Sequence, residues 1–247
     1  MYTTLFAKRF FYKWNRTLLR CALSGLGVGN CSTRSSGERQ CLKTLIQKKE
    51  KPTILDVGAN QGDWSKLALS INPTAQIFAF EPQKKIFKKL EAIQGIHAFN
   101  LGCGSKIERL PIYSRPTIST HSSLCKEVLS NLDEVIDQEE VEMTTIDEFI
   151  DKQKLEKIDL LKIDVEGFEL EVLKGAKNAI NRGIIEAIQF EFNTMNIYKR
   201  VFFKDFYAYL PHYTFYRLLP NGKIPLRQYD PTLHELFCFQ NILAIRR

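Results

Sequence analysis

A glycine-containing turn follows a short apolar strand pattern at residues 54–62, ILDVGANQG. Gly58 and Gly62 can take backbone angles that other residues avoid, so the chain can pass close under a ligand there. A second apolar run, Gln76 to Phe80, ends at Glu81, whose carboxylate can accept hydrogen bonds from both hydroxyls of a ribose. The order of strand, turn, helix, strand and acid therefore predicts a nucleoside site in a βαβ unit.

The middle of the turn indicates which nucleoside fits. The dinucleotide fingerprint needs three glycines, G-x-G-x-x-G, and this chain has Asn60 at the second of those positions. A pyrophosphate ligand is therefore disfavoured, whereas S-adenosylmethionine, which has no phosphate, tolerates an asparagine there. A tight surface turn is the alternative interpretation of the glycines taken alone.

The elements that must position these residues alternate along the chain. Apolar β-rich runs alternate with helical patterns from Thr53 onward, which predicts an α/β fold: a doubly wound, seven-stranded, mostly parallel sheet with an antiparallel last strand. Arg109 to Tyr113 and Val141 to Thr144 predict a small extra pairing. The predicted strands are Thr53–Val57, Gln76–Phe80, Ile96–Asn100, Asp159–Val165, Ile184–Phe192, Thr214–Leu218 and Phe237–Ala244. The predicted helices are Gly62–Ile71, Pro82–Ile93, Phe168–Asn181 and Tyr198–Leu210.

The positive charge is concentrated at the N-terminal end. The 247 residues carry a net charge of +7, and residues 1–50 contain ten Lys or Arg and two Glu, which leaves −1 for residues 51–247. We therefore divide the chain into a basic amphipathic segment with a linker, residues 1–50, and a catalytic domain, residues 51–247. Because that domain is nearly neutral, a nucleic-acid partner is disfavoured.

The basic segment predicts an amphipathic helix. Three interpretations stay open: peripheral contact of residues 1–24 with an anionic membrane, a helix packed against its own domain, and a processed targeting segment. Gly25 to Gln40, rich in Gly, Ser and Asn, predicts a linker or a loose approach to the catalytic domain. The two faces of the helix are formed by Phe10, Phe11, Trp14 and Leu18 and by Arg9, Lys13, Arg16 and Arg20.

The spacing of the cysteines and the hydropathy of the chain indicate in which compartment the protein is located. Six cysteines without C-x-x-C spacing predict neither a zinc site nor a disulfide framework, which fits a reducing compartment. No apolar run approaches the roughly twenty residues that span a bilayer. We therefore expect a cytoplasmic protein, whose N-terminal helix is its one route to peripheral contact with the cytoplasmic membrane face.

A second motif, LLKIDVEGFELEVLKGA at residues 160–176, carries a buried-type strand into an acidic turn. Ligands of open α/β sheets bind beyond the carboxyl ends of the strands, which selects Asp164 here and Glu191 after the fifth strand. Glu169 has a simpler interpretation, because an acid in the first turn of a helix interacts favourably with the helix dipole. Lys162 inside the strand requires a partner or an exposed edge.

Together the motifs resemble one protein family. ILDVGANQG, FAFEP at residues 78–82, TTIDEFI at 144–150 and LLKIDVEGFELEVLKGA look like the FkbM-type family of S-adenosylmethionine-dependent methyltransferases, over roughly residues 52 to 245. The KIDVEGFE segment is specific to that family, whereas the first motif occurs in many methyltransferases. The resemblance implies a class I methyltransferase (Rossmann-like) fold and O-methylation of sugars and other natural-product hydroxyls.

The resemblance also implies where the cofactor lies. The turn after the first strand surrounds the methionine part of S-adenosylmethionine, Glu81 holds the ribose, and residues 100–102 border the adenine. The run Ser119 to Ser123 either closes over the cofactor or forms a solvated loop. The residues assigned to the cofactor are Asp56, Gly58, Ala59, Asn60, Gly62, Glu81, Pro82, Asn100 and Asp164.

A sugar hydroxyl is a poor nucleophile at neutral pH, so its methylation calls for a base or a metal ion. The candidate catalytic residues are Asp164, Glu166 and Glu191. Asp164, Glu191 and Asn193 form a candidate oxygen set for Mg²⁺; alternatively, Asp164 orients the cofactor and Glu191 alone acts as base or hydrogen-bond acceptor. Weaker candidates for the base are His121, His212 and His234.

We therefore expect an S-adenosylmethionine-dependent O-methyltransferase that acts on a small-molecule or glycan acceptor, at a hydroxyl of a saccharide or glycosylated metabolite. Two alternatives stay open. An RNA or DNA methyltransferase would use the basic segment to hold phosphates. A non-catalytic module would keep the fold and recruit a partner, although the presence of Gly58, Gly62, Glu81 and Asp164 argues against it.

Overall fold

A computed structural model describes residues 2–30, 32, 35–115, 118–123 and 137–247. The strands are β1 (Thr53–Val57), β2 (Gln76–Phe80), β3 (Ile96–Phe99), β4 (Gly102–Cys103), β5 (Arg109–Arg115), β6 (Ile118–Ser123), β7 (Asp137–Thr144), β8 (Leu160–Ile163), β9 (Ala187–Phe192), β10 (Tyr213–Leu219), β11 (Gly222–Leu226) and β12 (Gln240–Arg246). The helices are α1 (Tyr2–Phe6), α2 (Tyr12–Gly25), α3 (Glu38–Ile46), α4 (Asp63–Ile71), α5 (Lys84–Leu90), α6 (Ile146–Gln153), α7 (Glu169–Lys174), α8 (Lys177–Arg182), α9 (Met195–Lys199), α10 (Phe203–Tyr209) and α11 (Pro231–His234).

The main sheet has the strand order β11-β10-β12-β9-β8-β1-β2-β3. The strands from β9 to β3 in that order are parallel neighbours, whereas β12 runs antiparallel to both β9 and β10. From β1 the chain first builds outward through β2 and β3 and then returns to the other side with β8. The strand order therefore reverses between β1 and β8, which is where ligands of such sheets bind.

The predicted sheet is confirmed with one addition. The first two strands have the predicted bounds, and β12 is antiparallel as predicted. The main sheet nevertheless contains eight strands in the part of the chain described, because β11 forms a hairpin with β10 at the edge. Pro225 lies within β11, and a proline is tolerated on an edge strand although it argues against a central one.

A smaller sheet, β4-β7-β5-β6, lies in the segment between β3 and α6. Its antiparallel β5–β7 pair sets Arg109 opposite Glu142 and Leu110 opposite Val141, which confirms the predicted extra pairing. Through β4, this sheet follows directly on the end of β3. It is therefore placed to contribute to the ligand edge of the main sheet.

Both faces of the main sheet are covered, as a doubly wound fold requires. Ile54 packs in one apolar cluster with Leu42 of α3 and Ala68 of α4, whereas its neighbour Leu55 packs in the opposite cluster with Phe149 of α6. Successive strand residues point to opposite faces, so a continuous apolar strand needs helices on both sides.

The packed body begins before residue 50. Leu42 and Ile46 of α3 are fully buried, and Val28 is buried as well. The predicted linker, Gly25 to Gln40, is therefore wrong for Val28 and for the start of α3 at Glu38. Independent folding of residues 51–247 stays a prediction. Within the described residues, no helix is both long and apolar enough to cross a membrane.

Candidate functional site

The turn after β1 is fixed by Glu81 at the end of β2. Glu81 Oε2 accepts the N–H of Asn60 at 3.1 Å, and Oε1 accepts the N–H of Gln83 at 2.9 Å. The Gly58 N–H donates to the Phe80 carbonyl at 3.0 Å. Glu81 is only 5% exposed, and burial raises the pKa of its carboxyl to about 7. Each oxygen of the Glu81 carboxylate thus accepts one backbone hydrogen bond, which holds the group in place at the ligand edge of the sheet.

Gly58, just after β1, lies close to the chain that follows β8. Its φ is +78°, and a Cβ on it would lie 1.8 Å from the carbonyl oxygen of Asp164. We expect Gly58→Ala to lower the free energy of unfolding by more than about 2 kcal/mol, because the left-handed backbone alone costs roughly 1–2 kcal/mol and the clash adds to it. Urea denaturation measures the loss. Gly25→Ala, where no atom lies within 4 Å of the new Cβ, should be neutral, and equal losses in both variants would contradict this account.

Lys162 is a buried cation shared by two aspartates. It lies opposite Asp56 in the β1–β8 pair, and its Nζ is 3.3 Å from Asp56 Oδ1 and 3.2 Å from Asp164 Oδ2. Asp56 is fully buried, and its Oδ2 accepts the Ser65 hydroxyl at 2.6 Å. Burial lowers the pKa of Lys162, but the charges of Asp164 and Asp56 outweigh it and raise the pKa above its usual value. The partner that a buried lysine requires is therefore present.

A cavity of about 710 Å³ opens beside the β1 turn. Its polar wall includes Asn60, Glu81, Asp164 and Glu166, and its apolar wall includes Phe80, Leu101, Ile112 and Met143. A Cβ on Gly102 would lie 2.4 Å from Met143 Sδ, so the glycine lets the smaller sheet close over this cavity. One polar and one apolar side match the ribose and the base of a nucleoside.

A second, wider cleft of about 1750 Å³ adjoins this cavity at Asp164. Among the residues described, Asp164 alone lines both spaces. The cleft is also lined by Glu38 of α3, Trp64 of α4, Lys162 of β8 and Glu191 of β9. Asp63, Arg39 and Lys43 line the cleft as well, so its wall carries four carboxylates and three cations beside the aromatic ring and has no net positive charge.

Glu191 is the carboxylate in this cleft whose protonation is most strongly perturbed. Burial, followed by the charges of Asp164 and Glu166, raises the pKa of Glu191 well above its ordinary value, although the Lys162 ammonium opposes them. Its Oε2 accepts a hydrogen bond from Asn193 Nδ2 at 3.3 Å. A carboxylate with a raised pKa is a stronger base, which suits proton abstraction near neutral pH.

Two further carboxylates have positions that the sequence alone did not reveal. Glu169 is 1% exposed and accepts hydrogen bonds from the Gly167 N–H at 2.9 Å and from Asn196 Nδ2 at 3.3 Å. It therefore fixes the turn after β8, beyond any effect of the helix dipole. Glu38 lines the cleft and accepts from Gln189 Nε2 at 3.0 Å. No local signal points to Glu38, because its partner is 151 positions away.

The three predicted metal ligands are not all available to bind one ion. Asp164 and Glu191 both line the cleft, but Asn193 Oδ1 already accepts the Met195 N–H at 2.8 Å. Nowhere in the described ranges do three His, Cys, Asp or Glu residues form a group that could hold an ion. A cation at Asp164 would also compete with the ammonium of Lys162. The residues therefore fit a metal ion poorly.

The other predicted cofactor residues divide into two groups. Gly58, Asn60, Glu81, Pro82 and Asp164 line the cavity, as does the candidate catalytic residue Glu166. Asp56, Ala59, Gly62 and Asn100 do not line it. Asn100 Nδ2 donates to the carbonyls of Glu81 and Pro82 at 2.9 and 2.8 Å and so fixes the turn after β2.

The histidines whose side chains the structure describes line neither the cavity nor the wider cleft. His234 is buried beside Phe203, with ring centroids 5.7 Å apart, and its Nδ1 accepts the Asp230 N–H at 2.8 Å. His212 is exposed. The side chains of His121 and of the whole run Ser119 to Ser123 lie outside the described part of the structure.

The sequence match extends over most of this architecture. The family model for the methyltransferase FkbM domain matches residues 56–216, from the end of β1 into β10. The chain belongs to the FkbM methyltransferase family. The resemblance seen in the motifs is thereby confirmed, and the domain is that of an S-adenosylmethionine-dependent methyltransferase. The matched span of this FkbM domain contains Glu81, Asp164 and Glu191 but not Glu38.

Three curated relatives illustrate the family. Methyltransferase sdnD of Sordaria araneosa is 33% identical over 155 residues, covering 50% of this chain and 60% of that protein. Hexuronic acid methyltransferase AglP of Haloferax volcanii is 29% identical over 157 residues, covering 58% of each. The 2-O-methyltransferase NoeI of Sinorhizobium fredii is 25% identical over 170 residues, covering 63% of this chain and 69% of that protein. The chain thus spans less than two thirds of the length of the first two.

Proposed function

We propose that this FkbM methyltransferase transfers the methyl group of S-adenosylmethionine to a hydroxyl of a saccharide or glycosylated metabolite. The position of Asp164 carries the proposal, because this residue lines both the cavity and the wider cleft. A cofactor in the cavity and an acceptor in the cleft would meet at that carboxylate. Such alignment of two reactants supplies much of the acceleration of a displacement reaction.

The cavity has a surface for each part of the cofactor. Glu81 presents its carboxylate to the ribose hydroxyls, and Leu101 and Met143 offer an apolar wall to the adenine. The carboxylates of Asp164 and Glu166 add negative charge to the cavity wall, which favours a cationic ligand. The cofactor would supply a methyl group bonded to a sulfonium; the acceptor oxygen would form a bond to that methyl carbon as the carbon–sulfur bond breaks, which would release S-adenosylhomocysteine.

The cleft has the residue types that bind and activate a hydroxyl-rich acceptor. Trp64 offers an aromatic face, and its ring centroid lies 5.7 Å from Lys162 Nζ. Glu38 and Glu191 are hydrogen-bond acceptors for hydroxyl groups. Glu191 takes the proton of the attacking hydroxyl. Asp164 and Lys162 form a fixed pair of opposite charges near it.

The names of two relatives support a saccharide as the acceptor. AglP is a hexuronic acid methyltransferase, and NoeI is a 2-O-methyltransferase. A nucleic-acid acceptor is disfavoured because the four carboxylates of the cleft outnumber its three cations, so the wall has no net positive charge to attract phosphates. We also propose a cytoplasmic location, supported by the free thiols of Cys21, Cys41, Cys103 and Cys238.

The direct test is an assay of the full chain with methyl-labelled S-adenosylmethionine. The acceptors offered are uronic acids, neutral monosaccharides, oligosaccharides and, for comparison, RNA, each with and without EDTA. We expect label in a saccharide, as a methyl ether that NMR identifies, and no loss of rate in EDTA. Transfer to RNA alone would overturn the proposal, and a rate lost in EDTA and restored by Mg²⁺ would show that the metal-free account is wrong.

Glu81→Ala should weaken the binding of S-adenosylmethionine by about 100-fold or more. Two hydrogen bonds to a charged group are removed, each worth roughly 1.5–3 kcal/mol. Binding to the unmodified protein should strengthen as the pH rises through about 7, because the pKa of Glu81 is about 7 and its ionised form is the better acceptor. Calorimetric titration measures both effects.

The matched control is Glu91→Ala, at the exposed end of α5, which should bind as tightly as the unmodified protein. Glu81→Gln keeps the shape of the side chain and separates the lost charge from any disturbance of the turn. It should bind weakly at every pH. A persisting pH dependence in Glu81→Gln would assign the titration to another group.

A further inference from the structure

Helix α2 and the turn before it expose large apolar side chains. Phe10 is 86% exposed, Trp14 is 70% exposed and Leu18 is 49% exposed. No residue of α2 is buried, so the interpretation of a helix packed against its own domain is wrong for this segment. Large apolar side chains grouped on one exposed surface indicate an interaction site, whereas scattered ones need no explanation.

The rest of this surface is basic. Lys13, Arg16 and Arg20 lie on the opposite side of α2 from Trp14 and Leu18, and no acidic residue precedes Glu38 in the sequence. A second copy of this surface would bring like charges together and is therefore a poor partner. A nucleic acid would neutralise the cations but leave the aromatic side exposed. An anionic membrane satisfies both sides at once.

The residues that follow α2 contact the body of the protein next to the wider cleft. The Leu26 carbonyl accepts a hydrogen bond from Arg217 Nη1 at 3.5 Å, and a Cβ on Gly27 would lie 2.5 Å from the Leu218 carbonyl oxygen. The Gly29 N–H then donates to the carbonyl of Phe239 at 2.7 Å, and Phe239 lines the cleft. A surface bound by α2 would therefore lie near the wall of that cleft.

We propose that residues 2–25 dock the enzyme on an anionic membrane surface. Trp14 and Leu18 enter the interface between headgroups and acyl chains, and Lys13 and Arg16 contact the anionic headgroups. This contact goes beyond methyl transfer and does not depend on which acceptor is methylated. It places the cleft beside a lipid surface, where a membrane-bound acceptor would be presented.

Co-sedimentation of the full chain with vesicles tests the apolar side. The protein should pellet with vesicles of phosphatidylcholine mixed with phosphatidylglycerol and remain in solution with phosphatidylcholine alone. The double variant Trp14→Ala with Leu18→Ala should lower the partition at least about tenfold, since two apolar side chains leave the interface. The matched control is Ile107→Ala, which removes a residue that is 64% exposed on the body and should change nothing.

A second pair of variants tests the charge. Lys13→Gln with Arg16→Gln should lower the partition about 25-fold, at about fivefold for each cation near an anionic surface, and salt should have the same direction of effect. Lys85→Gln with Lys88→Gln, which removes two exposed lysines of α5, should leave the partition unchanged. Binding of S-adenosylmethionine by every variant shows that the body is folded.

Three results would overturn the proposal. One is equal pelleting with both kinds of vesicle or with every variant. Another is a dimer in solution, detected by equilibrium sedimentation, that Trp14→Ala abolishes, since a second copy would then cover this surface. The third is salt-sensitive RNA binding without vesicle binding. None of these touches the methyl-transfer assay, so the two proposals can fail separately.

Discussion

Replacing Glu191 by glutamine should lower kcat for methyl transfer by about 10²- to 10⁴-fold, the usual contribution of a positioned general base. Glutamine keeps the size of the side chain and can still accept the hydrogen bond from Asn193, but it cannot take a proton from the acceptor hydroxyl. Affinity for S-adenosylmethionine should remain close to that of the unmodified enzyme, because Glu191 lines the cleft and not the cofactor cavity. Initial rates and calorimetric titration measure the two quantities.

The pH profile separates a base from a residue that only shapes the cleft. Burial and the charges of Asp164 and Glu166 raise the pKa of Glu191, and the base works in its ionised form. The rate should therefore rise with pH through that raised pKa and then level off, and Glu191→Gln should lose this limb. Glu156→Gln, on the exposed surface, is the matched control and should keep both rate and profile. A Glu191→Gln variant with full kcat would show that another group removes the proton.

The arrangement of the turn after β1 beside Glu81 could be predicted because it is local. The turn 58–62 follows β1 directly, and the parallel register pairs Val57 with Phe80, so the residue after each strand must lie at the same edge. A motif of nine residues and one acid after the next strand therefore define the position of Glu81. Chain connectivity alone brings these groups together.

The place of Glu38 in the wider cleft could not be predicted, because tertiary contacts bring it there, whereas the strand-end rule selects Asp164 and Glu191 from the sequence alone. Glu38 belongs to α3, which the charge and composition of residues 1–50 assigned to a segment apart from the catalytic domain. Only the packing of Leu42 and Ile46 against the sheet brings α3 to the cleft. The assignment of Gly25 to Gln40 as a linker failed for the same reason, since Gly and Ser content describes local flexibility and not long-range burial.

Lys162 lies between these cases. The cost of a buried ammonium predicts that a partner exists, and the strand register decides which one, because β1 and β8 pair Asp56 with Lys162. The register could not be read from the sequence, since the two strands are separated by more than a hundred positions. Asp164 becomes the second partner only through the turn that follows β8.

Lys162→Met should lower the free energy of unfolding by about 3–5 kcal/mol, because Asp56 would stay fully buried with no cation to compensate its charge. Methionine fills a similar volume, so the loss reports the charge and not a cavity. Urea denaturation at neutral pH measures it. Lys66→Met removes an exposed ion pair with Asp63 and should cost less than about 1 kcal/mol.

The double variant Asp56→Asn with Lys162→Met tests the cause of that loss. Removing both charges should be less damaging than removing Lys162 alone, since no uncompensated ion then remains in the interior. If the double variant is no more stable than Lys162→Met, the uncompensated charge of Asp56 is not the cause of the loss.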